Sequence, residues 1–95
     1  MFAIDYYHKL KTLYKNKLKK AKYVYIYTHS DANSINDKNA KYIVNNIMIT
    51  YRKSHKTEII NDVPHDALFL SDNNLPNDVM VQVLFAPLRF IMYEY

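Results

Sequence analysis

From Phe2 to Lys20 the apolar residues Phe2, Tyr6, Leu10, Leu13, Tyr14 and Leu18 recur at helical spacing, while His8, Lys9, Lys15 and Lys19 fall on the opposite arc. That period predicts an amphipathic helix. The pattern changes at Lys22-Tyr23-Val24-Tyr25-Ile26-Tyr27-Thr28, a β-branched and aromatic run that ends in the polar stretch from His29 to Ser34. It predicts a strand with Tyr23, Tyr25 and Tyr27 on one face and Val24, Ile26 and Thr28 on the other. Ser34 then offers an N-cap for a second helix reaching about Arg52, with Ala40, Ile43, Val44, Ile47, Met48 and Tyr51 on one face. Ile35, Tyr42 and Ile49 lie on its opposite side, so the helix is expected to be sandwiched in the fold or covered by a partner. Ile47, Ile49 and Tyr51 also alternate as a strand would.

Beyond a basic link at Arg52, Lys53, His55 and Lys56, the segments Thr57 to Asn61 and Ala67 to Leu70 predict short strands, and Val79 to Ala86 and Leu88 to Tyr95 two more, meeting at Pro87. The fold class expected is α+β, or small α/β. An N-terminal amphipathic helix precedes a strand-helix-strand unit, which is expected to be parallel and right-handed. A mostly antiparallel C-terminal strand set completes one mixed sheet of about five strands. Only Arg89 and Glu94 are charged between Val79 and Tyr95, so a C-terminal strand is either core or an apolar edge that pairs with a second copy. The second alternative predicts a homodimer through the C-terminal strands.

With 95 residues, 49% of them hydrophobic and 23% charged, the chain is read as a single globular domain. There is no run of roughly 20 apolar residues that could span a membrane, and Met1 leads into an acid-containing amphipathic segment instead of a signal peptide. No membrane partner and a cytoplasmic, or at least intracellular, location are expected. The chain has no cysteine and no glycine. The first absence removes disulfides, thiolate nucleophiles and cysteine-ligated metals. The second removes Walker loops and dinucleotide fingerprints, which need residues without a Cβ against the ligand. Turns must come from Asn, Asp, Ser and Pro, as at Asn61 to Asp66 and Ser71 to Asp78.

Charge is divided unevenly. Residues 1 to 56 hold twelve Lys or Arg against Asp5, Asp31 and Asp37, a net of +9, and the rest of the chain sums to −5. Seven lysines lie between Lys9 and Lys22 with no acid among them. Lys9, Lys15, Lys19, Lys20 and Lys22 therefore form a candidate basic face for an acidic protein surface, a nucleoprotein complex or phosphates. The alternative is a solvated face neutralised by the acidic turns of the second half. Lysine lacks the bidentate fork of arginine, which argues against base-specific readout. Tyr23, Tyr25 and Tyr27 beside these lysines are candidate stacking groups for single-stranded bases, or else core and rim residues.

His29, Ser30 and Asp31 form a candidate anion or ligand loop, because they follow a strand and precede an expected helix N-terminus. If the next strands run parallel to the first, Asp62, His65, Asp66, Ser71 and Asp72 gather along the same edge, where a divalent metal could activate water. The competing reading is ordinary turn and cap chemistry, and His8, His29, His55 and His65 show no metal-ligand spacing. Tyr25-Ile26-Tyr27-Thr28-His29-Ser30-Asp31-Ala32 is similar to the strand-and-loop start of DHH phosphoesterases, although the acidic and glycine positions that follow there are missing. The same segment with Ala67-Leu68-Phe69-Leu70-Ser71 is similar to the strand pattern of TIR domains, whose glutamate-bearing helix has no counterpart. No residue role carries over from either.

Phe, Tyr, Met, Ile, Asn and Lys make up 48 of the 95 residues, a usage with AT-rich codons common in phages, other viruses and mobile elements. The leading expectation is a small non-enzymatic binding or inhibitor protein, such as a viral or mobile-element accessory factor docking on a host protein, without a cofactor, catalytic residue or metal ligand. The alternatives are a nucleic-acid-binding module and a small metal-dependent phosphoesterase or nuclease.

Overall fold

A computed structural model describes residues 1–30, 40–70 and 74–85. Two helices, α1 (Ala3–Leu13) and α2 (Lys15–Lys19), precede five strands: β1 (Ala21–Ser30), β2 (Tyr42–Tyr51), β3 (Thr57–Ile60), β4 (Ala67–Leu68) and β5 (Val79–Phe85). The strands form one mixed sheet in the order β3-β2-β1-β5, with β4 also pairing to β2. The α+β architecture expected from the hydrophobic pattern is the one observed. Among the described residues, no helix is long and apolar enough to cross a membrane.

Ala3, Tyr6 and Leu10, at helical spacing on α1, are fully buried against Val24, Ile26, Val44, Ile47, Ile49 and Leu68 of the sheet. Removing these side chains from water is the main stabilising contribution to the fold. The single helix expected from Phe2 to Lys20 is broken at Tyr14, whose backbone (φ −124°, ψ 44°) leaves the helical region. The break coincides with long-range anchoring, since the Tyr14 hydroxyl donates to the Asp62 carbonyl at 3.1 Å. At the other end the Tyr6 hydroxyl donates to the Pro64 carbonyl at 2.6 Å. The chain start is tied down as well, with the Phe69 amide donating to the Met1 carbonyl at 2.9 Å.

The second helix is a correction. Residues 42–51 are not helical but form β2, which pairs with β1 antiparallel, so the expected parallel strand-helix-strand unit does not form. The Ser34 cap and the start of the expected helix lie outside the described residues. A bulge in β2 gives the segment its helix-like period. Tyr27 faces Asn46 but Thr28 faces Val44, leaving Asn45 as an extra residue. The inward-facing set therefore runs Tyr42, Val44, Ile47, Ile49, and the step from Val44 to Ile47 imitates a helical one. The β-branched content of the segment was the better guide. The C-terminal part also differs in sense. β3 and β4 pair antiparallel with β2, whereas β5 pairs parallel with β1. The expected strand from Leu88 to Tyr95 lies outside the described residues.

Candidate polyanion-binding end and open sheet face

The antiparallel pairing of β1 with β2 places Ala21 opposite Tyr51. Two basic runs distant in sequence, the end of α2 and the turn after β2, therefore meet at one end of the sheet. The Arg52 amide donates to the Lys20 carbonyl at 3.1 Å, and the turn closes with the His55 amide donating to the Tyr51 carbonyl at 3.1 Å. His55 takes a left-handed conformation, φ 56°, at a position glycine would ordinarily fill. Between the runs lies a partly open cavity of about 690 Å³ lined by Asn16, Lys19, Lys20, Tyr51, Arg52, Lys53 and Ser54. Among these described residues four are cations and none is a carboxylate.

The lysines from Lys9 to Lys22 divide into distinct groups. Among the described residues, Lys9 pairs with Asp66 at 2.7 Å and Lys17 with Glu58 at 2.6 Å. Lys11 sits 5.5 Å from the Tyr7 ring centroid and Lys22 5.4 Å from that of Tyr23, both within cation–π range. Lys15 is exposed on α2, and Lys19 and Lys20 line the cavity. Asp66 and Glu58 thus neutralise part of the basic face, and among the described residues no carboxylate is paired with its Lys19–Lys20 end. Glu58 also accepts a hydrogen bond from the Tyr51 hydroxyl. Lys17 first and Tyr51 second hold the Glu58 carboxyl below its ordinary range. Burial, reinforced by the bond to Glu58, pushes the Tyr51 hydroxyl up to about 12. Burial likewise raises Tyr6, with Asp66 adding to it, and Tyr7, with Asp78 adding to it.

Tyr23, Tyr25 and Tyr27 occupy alternate positions on the sheet face opposite the helices, since Val24, Ile26, Thr28 and Ser30 of the same strand are buried, the first two in one cluster with Ala3, Tyr6 and Leu10 of α1. Register builds two rows across this open face. Ile59, Met48, Tyr25 and Met80 are neighbours on β3, β2, β1 and β5, and Asn46, Tyr27 and Gln82 are neighbours one step further along. Ile59 is 59% exposed, Met80 39% and Tyr23 38%. The rings of Tyr25 and Tyr27 are nearly parallel at 23°, with centroids 6.4 Å apart.

Of the expected ligand loop at His29, Ser30 and Asp31, the first two are among the described residues. His29 and Ser30 are the last residues of β1 and point to opposite faces. His29 Nδ1 is 2.7 Å from Asn45 Oδ1 on the open side, and Ser30 is buried on the other. Asp31, Ser71 and Asp72 lie outside the described residues. Asp66 faces Lys9 on the helical side, and His65 Nδ1 is 2.7 Å from the Val44 carbonyl. Among the described residues no three His, Asp or Glu side chains are grouped as a metal site requires.

Sequence reasoning missed Arg52, Lys53, Asn16 and Ser54 at the cavity and Met48, Ile59 and Met80 on the open face. A signal for the first group existed, because basic runs flanking two strands converge once those strands pair as a hairpin. Comparison with protein families, with curated proteins and with solved structures finds no match.

Proposed function

We propose that this chain is a non-enzymatic binding protein that docks on a polyanionic partner through the end formed by Lys19, Lys20, Arg52 and Lys53. The observation that carries the reading is their convergence on one cavity whose lining, among the described residues, holds no carboxylate. Four like charges at such a site repel one another, and a bound anion offsets that repulsion. Arg52 supplies a planar fork for a phosphate or carboxylate, the lysines supply point charges, and Asn16 and Ser54 add neutral donors.

The test is binding of heparin by isothermal titration at low and at physiological salt. The wild-type chain should bind with an affinity that falls steeply as salt rises. Arg52→Gln with Lys53→Gln should weaken the interaction at low salt and flatten its salt dependence. Binding unchanged in that variant would remove the cavity as the docking site. We further propose that the chain assembles as a homodimer through β5, which has β1 on one side and, among the described residues, no strand on the other. Sedimentation over a range of concentrations tests this, and a monomer throughout would exclude it.

A further inference from the structure

We infer that the open sheet face is a stacking platform for the bases of a single-stranded nucleic acid, with Tyr25 and Tyr27 as the two rings and the Lys19, Lys20, Arg52 and Lys53 end holding phosphates. The inference rests on the polyanion reading above and names its ligand.

The first support is charge complementarity. The outer positions of the sheet carry Tyr23, Tyr25, Tyr27 and His29 on β1, Ile43, Met48 and Thr50 on β2, Thr57 and Ile59 on β3, and Met80 and Gln82 on β5. No carboxylate is among them. The described acids stand elsewhere: Asp5 on α1, Glu58 and Asp66 on lysines of the helices, Asp78 beside Tyr7, and Asp62 after β3 next to Tyr14. Lys22 lies over Tyr23 at the end of the face where β1 and β2 meet the basic cavity. Among the described residues, the nearest carboxylate to that cavity is Glu58, which is bonded to Tyr51 and paired with Lys17 on the helical side, so a polyanion passing around the sheet end by Lys22 meets the aromatic face.

The second support is the chemistry of the rows. Same-face residues on a strand are about 6.6 Å apart, so Tyr25 and Tyr27 are separate supports, and their near-parallel rings lie side by side. Stacking on such rings tolerates any base, because every base has a π-face. The flanking thioethers of Met48 and Met80 are polarisable and pack well on aromatic edges. Gln82 flanks Tyr27 with an exposed amide group that hydrogen-bonds to a base edge as readily as to water, while Asn46 on the other side is engaged, its Nδ2 donating to Asn61 Oδ1 at 3.3 Å. A face meant only for a second protein copy has no need of a cationic rim, whereas a phosphodiester chain does.

The experiment uses the whole chain and three probes: labelled dT12, labelled rU12 and heparin, a polyanion without bases. Tyr25→Ala with Tyr27→Ala should weaken dT12 or rU12 binding about tenfold or more for each ring lost, and leave heparin binding as it was. Tyr25→Phe with Tyr27→Phe should retain the oligonucleotide affinity. Arg52→Gln with Lys53→Gln should weaken all three probes. The tighter of dT12 and rU12 separates DNA from RNA as the natural ligand. If heparin binds and the alanine pair leaves both oligonucleotides unaffected, the platform is overturned while the polyanion reading stands. If neither heparin nor oligonucleotide binds, both fail. If the alanine pair instead dissociates a dimer without altering oligonucleotide binding, the face belongs to a second copy and the inference is overturned. Should the alanine pair not fold by circular dichroism, quenching of tyrosine emission carries the test: dT12 or rU12 but not heparin should quench it, and the phenylalanine pair should lose that component. Equal quenching by heparin overturns the proposal.

Discussion

Lysines that are equivalent in the sequence should contribute unequally to anion binding, and two variants of identical charge expose the difference. Lys9→Gln with Lys17→Gln and Lys19→Gln with Lys20→Gln each remove two positive charges from a chain whose formal charge is +4. Steering at long range falls by the same amount in both. Local contact does not, because Lys9 and Lys17 lie 2.7 and 2.6 Å from Asp66 and Glu58, so each pair is close to neutral beyond a screening length of about 8 Å. Each cation that neutralises a phosphate of a single strand contributes about −0.7 to the slope of log K against log salt. Four cations at the cavity give a slope of about −2.8, which is roughly a 50-fold loss of affinity between 50 and 200 mM salt. Without Lys19 and Lys20 the slope becomes about −1.4 and the loss roughly sevenfold. Without Lys9 and Lys17 it should stay near the wild-type value. Fluorescence anisotropy of labelled dT12 across that range measures both, and equal slopes for the two variants would refute the division of the basic face.

Tyr6→Phe keeps the buried ring but leaves the Pro64 carbonyl without its donor, which should cost about 1–2 kcal/mol and lower the melting temperature measured by circular dichroism. Leu10→Ala, at a fully buried position of α1, should cost about 2–5 kcal/mol, a large share of the roughly 5–14 kcal/mol expected for a domain of this size; urea denaturation checks it. The lowered Glu58 carboxyl contributes stability in full above its ordinary value of 4.5, and that contribution is lost as pH falls through the lower folded value. Glu58→Gln should therefore flatten the acid limb of melting temperature against pH, and an unchanged limb would count against the Lys17 and Tyr51 contacts. Tyr51 acts at the other extreme, with a contribution present below its ordinary value of 10 and lost as pH rises through about 12. Tyr51→Phe should weaken the alkaline loss of ellipticity.

Much of this protein was determined locally. The spacing of Tyr6 and Leu10 was sufficient for α1, because the helical period alone brings apolar groups to one side. Alternation likewise sorted Tyr23, Tyr25 and Tyr27 from Val24, Ile26 and Thr28 before any partner strand was known. What the tertiary structure decided were the relations between segments. The bulge at Asn45 shifted the pattern of β2 by one residue, and a one-dimensional period cannot tell such a shift from a helical step. The direction of β2 relative to β1, which brought Arg52 and Lys53 to Lys19 and Lys20, depends on which pairing buries the most apolar surface, a property of the whole core. The fate of the basic face was settled by distance. Asp66 and Glu58 are remote from Lys9 and Lys17 along the chain, and only the folded path puts them within ion-pair reach. Composition established that the chain carries a surplus of positive charge; the fold established which of the described lysines lie within ion-pair reach of a described carboxylate.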